Sequence, residues 1–103
     1  MNEKKDLTIK EAFGLAVKNH QEGRLDDAKK LYNQILKINP NHSLTLNNIG
    51  LIFKQLGENE KAKSYFEKAI ITNPNYADAH NNLGNSLQHL GEYQKAVKAY
   101  QKA

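Results

Sequence analysis

Four histidines are the side chains of this sequence that could ligate a metal ion or transfer a proton near neutral pH: His20, His42, His80 and His89. A metal site on one helix face needs a second ligand four residues along, and none of the four has His, Asp or Glu at that spacing. Cysteine is absent, which excludes thiolate ligands, disulfides and cysteine nucleophiles. No glycine-rich phosphate loop occurs. The sequence therefore predicts no enzyme activity, no metal and no cofactor.

Charge is the next candidate for chemistry, because the chain carries a net charge of +4 from 14 lysines and one arginine. The lysine-rich stretches are interleaved with Asp and Glu, as in the pair Asp26 and Lys30, which is typical of a solvated helix face. We expect no nucleic-acid partner. No apolar run approaches the ~18 residues of a membrane span and no signal peptide is visible, so we expect no membrane partner and a cytoplasmic location.

Asparagine is unusually common, with 13 copies in 103 residues. A carboxamide offers both a donor and an acceptor, so its chemistry is recognition through hydrogen bonds. Whether these amides form a surface depends on the elements that carry them, and a Lys-, Asn- and Ile-rich chain also scatters asparagine for compositional reasons alone.

A 34-residue period organises the sequence. It relates Gly23, Gly57 and Gly91, and it also relates Pro40 and Pro74. Three further columns keep the same period: Ala28, Ala62 and Ala96; Tyr32, Phe66 and Tyr100; Leu15, Ile49 and Leu83. We divide the chain into a leader (1–8) and three copies, 9–42, 43–76 and 77–103, of which the last is incomplete.

Each copy predicts two helices. Apolar residues recur at helical spacing up to Gly57, which we expect to end the first helix in the left-handed conformation. A second apolar stripe ends before Pro74, because the residue before proline is pushed out of the helical region. Thr8 and Glu11 match a capping box, and Asn41 and Asn75 are plausible N-caps. No strand pattern appears, so the fold class is all-α, an α-solenoid of about three helix–turn–helix repeats.

The pattern resembles the tetratricopeptide repeat, most clearly in the third copy, where Ala77–Gly84 is followed by Gly91-Glu92-Tyr93 and by Ala96–Tyr100. The resemblance covers 95 of 103 residues, from Ile9 to Ala103. It implies a protein-binding scaffold in which the first helices line a concave groove. The groove-facing residues expected to bind peptide are Phe13, Val17, Leu44, Asn47, Asn48, Leu51, Lys54, Asn81, Asn82, Asn85, Gln88 and His89.

The amides in this groove are similar to the asparagine ladder of the O-linked N-acetylglucosamine transferases, which implies that they hold a peptide backbone regardless of its sequence. The carboxylate clamp of chaperone-binding tetratricopeptide domains is not matched, because it requires Lys and Asn where Phe13 and Val17 stand, and Lys and Arg where Asp78 and Asn82 stand. A chaperone C-terminus is therefore not the expected partner.

Two functional interpretations remain open. The chain is a free-standing adaptor that binds a peptide or partner protein, or a second copy of itself, or it is the substrate-recruiting arm of a longer enzyme such as a glycosyltransferase. Glu11, Lys18 and Glu22 are polar, as a terminal repeat requires. The last helix carries Val97 and Ala99, so we expect the array to continue or to be covered by another molecule, most simply a second copy.

Overall fold

The computed structural model describes residues 7–103, which form six α-helices and no strand, so the all-α prediction is confirmed. The helices are α1 (Ile9–Gln21), α2 (Leu25–Ile38), α3 (Ser43–Gln55), α4 (Asn59–Thr72), α5 (Ala77–His89) and α6 (Tyr93–Lys102). Residues 1–6, most of the expected leader, lie outside the described residues. Within 7–103, each helix is too short or too polar to cross a bilayer.

The chain divides between Pro40 and Asn41 into two compact units. In the first unit α1 packs against α2. In the second unit α3 packs against α4 and α5 against α6, while α4 packs against α5 and α3 meets α5 over a smaller contact. The second unit is thus two helix pairs in which the first helices, α3 and α5, are neighbours.

The first helix of each pair ends on a glycine with positive φ: Gly23 (81°), Gly57 (77°) and Gly91 (79°). At α3 the Glu58 N–H donates to the Phe53 carbonyl at 2.9 Å, and the Gly57 N–H donates to the Lys54 carbonyl at 3.0 Å. This is the Schellman pattern, in which the left-handed residue lets two backbone donors reach back to the last turn. The predicted conformation of Gly57 is confirmed.

The capping box predicted at the start of α1 is confirmed. The Glu11 N–H donates to the Thr8 hydroxyl, and the Thr8 N–H donates to the Glu11 carboxylate, both at 3.0 Å. The helices α2 and α4 end as expected before proline, because Asn39 and Asn73 leave the helical region, with φ of −134° and −138° and ψ of 89° and 88°.

The N-caps predicted for α3 and α5 are wrong by one residue. His42, and not Asn41, caps α3, because its Nδ1 accepts the Thr45 N–H at 3.3 Å. Tyr76, and not Asn75, is the N-cap of α5, and no side chain accepts a hydrogen bond there. Asparagine and proline share each junction, and the turn they form moves the helix start one position further along the chain.

The core of the second unit depends on close approach between the helices of a pair. A Cβ atom added to Gly50 would lie 2.5 Å from the Phe66 ring, and one added to Gly84 would lie 2.6 Å from the Tyr100 ring. The alanine column Ala28, Ala62 and Ala96 is buried at 0 to 3% exposure. Small residues and rings at a fixed 34-residue spacing therefore make the same contact twice in this unit.

The first unit is built around Tyr32, which is fully buried on α2. The Phe13 ring lies 6.0 Å from the Tyr32 ring at 50°, and the His20 ring lies 6.2 Å away, edge-on at 81°. Both contacts fall in the range that favours aromatic pairs. α1 is therefore held to α2 by a cluster of three rings.

Candidate peptide-binding surface

Ten of the twelve residues expected to bind peptide lie on α3 and α5 of the second unit, and the other two, Phe13 and Val17, lie on α1 of the first. Both α1 residues are half-buried. The face of α3 and α5 that carries the ten residues is called the amide surface below. Its geometry decides which of the expected amides are available to a partner.

Asn47 and Asn82 form a hydrogen bond between the two first helices. The Asn82 Nδ2 donates to the Asn47 Oδ1 at 3.0 Å, and Asn47 is only 3% exposed. The Asn47 Nδ2 in turn lies 3.5 Å from the Asn48 Oδ1. Asn47 does not present its amide to solvent, and this amide links α3 to α5.

Tyr76 completes the environment of Asn47. Burial raises the pKa of the Tyr76 phenol, and the nearby Asp78 carboxylate raises it further, while a hydrogen bond with the Asn47 side chain opposes both. The phenol therefore stays neutral over the physiological range. Through one amide, α3 is joined both to the start of α5 at Tyr76 and to the middle of α5 at Asn82.

Asn85 and Gln88 also have partners inside the protein. The Tyr100 hydroxyl on α6 donates to the Asn85 Oδ1 at 2.5 Å and lies 3.0 Å from the Gln88 Oε1. A phenol has one proton, so both contacts are satisfied together when the Gln88 amide is turned to present its NH₂ group to the phenol oxygen. The half-buried Asn85 thus connects α5 to α6, whereas Gln88 is exposed and its side chain stays accessible to solvent.

The part of the surface that faces solvent is smaller than the sequence predicted. Asn81, Gln88, His89 and Leu44 are exposed, Leu44 at 46%, whereas Asn48, Leu51, Lys54, Asn82 and Asn85 are half-buried. Leucines on α3 and carboxamides on the neighbouring α5 are thus both accessible to solvent. Such a surface can bury an apolar side chain and donate to and accept from a peptide backbone.

The histidines have structural surroundings. His80 is 5% exposed, and its Nε2 lies 2.8 Å from the Pro74 carbonyl, which fits the packing role expected for it. Desolvation lowers the pKa of the His42 ring, so the neutral form that caps α3 is favoured. Among residues 7–103 no group of three His, Asp or Glu side chains is placed to hold a metal ion.

Sequence reasoning missed Tyr76 and Tyr100 as partners of the amides. The sequence does contain one sign of the contact between α3 and α5. Asn47 and Asn82 are both asparagines and stand 35 residues apart, which places them in adjacent columns of successive repeats. The residue 35 positions before Asn48 is Phe13, which has no carboxamide, so this pair cannot recur one repeat earlier.

Family models for the tetratricopeptide repeat match the chain over residues 13–42, 43–76 and 77–103. These matches cover most of the sequence. The chain belongs to the tetratricopeptide repeat family. A comparison with curated protein sequences gives no significant match.

Solved structures share the fold at low sequence identity. A crystal structure of MamA superposes with a TM-score of 0.86 at 22% identity, over 92% of this chain and 56% of that one. The second tetratricopeptide domain of Spaghetti (RPAP3), bound to the HSP90 peptide SRMEEVD, gives 0.86 at 17% identity, over 91% of this chain and 87% of that one. A further MamA structure gives 0.84 at 22% identity, over 92% and 52%. The chain thus spans about half the length of the MamA chains.

Proposed function

We propose that this tetratricopeptide repeat chain binds an extended segment of a partner protein on its amide surface. Tetratricopeptide domains are protein–protein interaction modules, which supports the general class. The observation that carries the finer proposal is that the neighbouring helices α3 and α5 expose an apolar side chain, Leu44, and two carboxamides, Asn81 and Gln88. Apolar side chains can anchor the segment while carboxamides bond its backbone.

The chemistry of the surface sets the expected strength of binding. Ordering a flexible segment opposes the contacts, so the dissociation constant should be roughly micromolar. Bonds between neutral amides and a peptide backbone are screened little by salt, so the affinity should change little with ionic strength. A nucleic-acid partner would instead show a steep salt dependence.

The Spaghetti domain of the same fold is bound to a peptide, which supports a peptide as the class of ligand here. Its acidic HSP90 peptide is not the ligand we propose, because Phe13, Val17, Asp78 and Asn82 replace the basic and amide residues that a carboxylate clamp requires. We propose that the amides act like the asparagine ladder of the O-linked N-acetylglucosamine transferases. We also propose that the repeats span residues 9–42, 43–76 and 77–103 and that the protein is cytoplasmic.

The same surface would also serve as the substrate-recruiting arm of a longer enzyme such as a glycosyltransferase, since the peptide chemistry is common to both. An assay of peptide binding tests the surface in either setting. Peptides are selected from a phage-displayed library on the intact chain, and their affinities are measured by calorimetry. The variant Asn81→Ala with Gln88→Ala should bind them at least tenfold more weakly and remain folded.

The matched control is Asn33→Ala with Gln34→Ala, which removes the same two side-chain types from exposed positions on α2. It should bind like the parent. If both double variants bind the selected peptides equally well, the amide surface is not the binding site.

Self-association is a second candidate, favoured by the exposed apolar residues of α6. Tyr93 is 64% exposed and Val97 is 53% exposed, and they lie four residues apart on one helix face. Ala99, which the sequence placed with Val97, is only 6% exposed and contributes no such surface. Light scattering over a concentration series tests this candidate: a dimer that Val97→Asp dissociates supports it, and a monomer throughout removes it.

A further inference from the structure

A ring pair with two lysines over it fills the outer junction of α3 and α4. The Phe53 and Tyr65 rings stack with centroids 5.6 Å apart and planes at 25°. The Lys61 Nζ lies 5.4 Å from the Phe53 centroid, and the Lys68 Nζ lies 4.8 Å from the Tyr65 centroid. Both distances are within the ~6 Å at which a cation is attracted to a ring face.

The next helix pair keeps the lysines of this arrangement and lacks the rings. Thirty-four residues after Phe53 and Tyr65, the chain has Leu87 and Ala99. Thirty-four residues after the two lysines, it has Lys95 and Lys102. Lys98 stands where the earlier copy has a serine, so at these positions the third copy has one more lysine and two fewer rings than the second.

A cavity of about 290 Å³ lies at this position, between α4, α5 and α6. Its apolar lining comes from Ile70, Leu83, Leu87 and Ala99. The volume is at the lower end of ligand pockets, which start near 300 Å³, so it suits one large side chain better than a drug-sized molecule. We call it the third-repeat pocket.

The charges around the third-repeat pocket are predominantly positive. Four lysines and one glutamate line it. Glu92 binds two of the lysines, Lys63 at 3.2 Å and Lys95 at 3.1 Å. Lys98 and Lys102 are exposed and lie one turn apart on α6. Counting Glu92, the pocket and its edge carry four cations and two anions, which favours an anionic partner.

We propose that the third-repeat pocket docks an aromatic side chain of a protein partner, in a segment whose flanking residues are acidic. The aromatic ring would take the place that Phe53 and Tyr65 fill in the preceding pair, on an apolar floor and under Lys95 and Lys102. The acidic neighbours would pair with the lysines of α6. This site lies between α4, α5 and α6 and does not depend on peptide binding at the amide surface.

The probe is a synthetic peptide with acetylated and amidated ends, Asp-Glu-Phe-Asp-Glu, titrated into the ¹⁵N-labelled intact chain and followed by NMR. The expected shift changes are centred on the backbone amides of Leu87, Lys98 and Ala99. A peptide with Ala in place of Phe should bind at least tenfold more weakly, because the anchor is lost. A peptide with Asn and Gln in place of the acids should bind about three- to tenfold more weakly at low salt.

The decisive variant restores the rings of the preceding pair, Leu87→Phe with Ala99→Tyr. It fills the pocket with the chain's own side chains, so it should melt at or above the parent temperature and bind the probe at least tenfold more weakly. Should this variant misfold, Lys98→Ser with Lys102→Gln removes the charges without adding volume and should weaken binding about three- to tenfold. Its matched control is Lys30→Ser with Lys37→Gln, on the exposed face of α2.

Three results would overturn the proposal. One is equal binding of the Phe and Ala peptides, which would show a contact of charges alone. Another is undiminished binding by the folded, filled-pocket variant or, if that variant misfolds, by the Lys98 and Lys102 variant. The third is a set of shift changes centred on Asn81 and Gln88, which would place the peptide on the amide surface.

Discussion

Replacing Gly50 by alanine tests the close helix contact that organises the second unit. The added Cβ would lie 2.5, 2.7 and 3.0 Å from three atoms of the Phe66 ring. Carbon atoms in contact normally sit ~3.5–4.0 Å apart, so the ring or the helix must retreat by about 1 Å. Phe66 is fully buried, so its ring can retreat only by displacing the side chains packed around it.

Two effects of opposite sign decide the magnitude. Alanine is preferred to glycine inside a helix by roughly 0.5–1 kcal/mol. Overpacking a buried contact costs about 1–3 kcal/mol. The second effect is larger, so Gly50→Ala should lower the free energy of unfolding by about 1–2 kcal/mol, measured by urea denaturation followed by circular dichroism.

Two other glycines serve as internal controls. Gly14 lies inside α1 with nothing within 4 Å of its added Cβ, so Gly14→Ala should raise stability by roughly 0.5–1 kcal/mol. Gly84 faces the Tyr100 ring at 2.6 Å, but Tyr100 is only half-buried and near the end of α6, where it can yield. Gly84→Ala should therefore cost less than Gly50→Ala.

A rescue variant separates overpacking from other causes. Phe66→Leu removes the ring atoms that the new Cβ would meet, so in combination with Gly50→Ala it should cost about 1–2 kcal/mol less than the sum of the two single changes. If Gly50→Ala is as stable as Gly14→Ala, or if the two changes simply add, the close contact is not what requires glycine at position 50.

Four further variants test separate features. Gly57→Val should cost more than about 1 kcal/mol in urea denaturation, because φ of 77° is strained for a branched residue, and an unchanged midpoint would contradict this. Ser86→Ala should add about 1 kcal/mol, because the fully buried Ser86 hydroxyl has no partner; a loss of stability would show that one exists. Burial lowers the pKa of His42 below its ordinary value of 6.5, so its stabilising contribution is complete above that pH and is lost as the pH falls through the folded-state pKa. His42→Asn should remove that share of the pH dependence of the melting temperature. Identical pH profiles of melting for the variant and the parent would refute this. Asn47→Ala should cost about 1–3 kcal/mol while the exposed control Asn33→Ala costs less than about 0.5 kcal/mol, and equal melting of the two would deny Asn47 its structural role.

The fold could be predicted because its signals are redundant and local. Glycine at 23, 57 and 91 recurs with one period, and each copy ends its first helix through the same short-range geometry. Buried small residues and rings repeat with that period as well. Any one column could arise by chance, but all of them require the same helix pair.

The candidate site could be predicted only in part, because a carboxamide looks the same in sequence whether it faces solvent or the protein. Asn47 and Asn81 share a column of the repeat, yet Asn47 is buried under Asn82 and Tyr76, whereas Asn81 is exposed. The difference arises because Asn47 lies in the contact between α3 and α5. That is tertiary information, and so is the hydrogen bond between Tyr100 and Asn85.

The enclosure of Tyr32 has a spectroscopic consequence. The chain has no tryptophan, so its five tyrosines are the dominant intrinsic fluorophores. Tyr32 is the one tyrosine among residues 1–40, and the other four lie in the second unit. Replacing those four by phenylalanine would leave a fluorophore that reports only the opening of α1 from α2. Compared with circular dichroism of the whole chain, its emission would show whether the two units unfold together or one after the other.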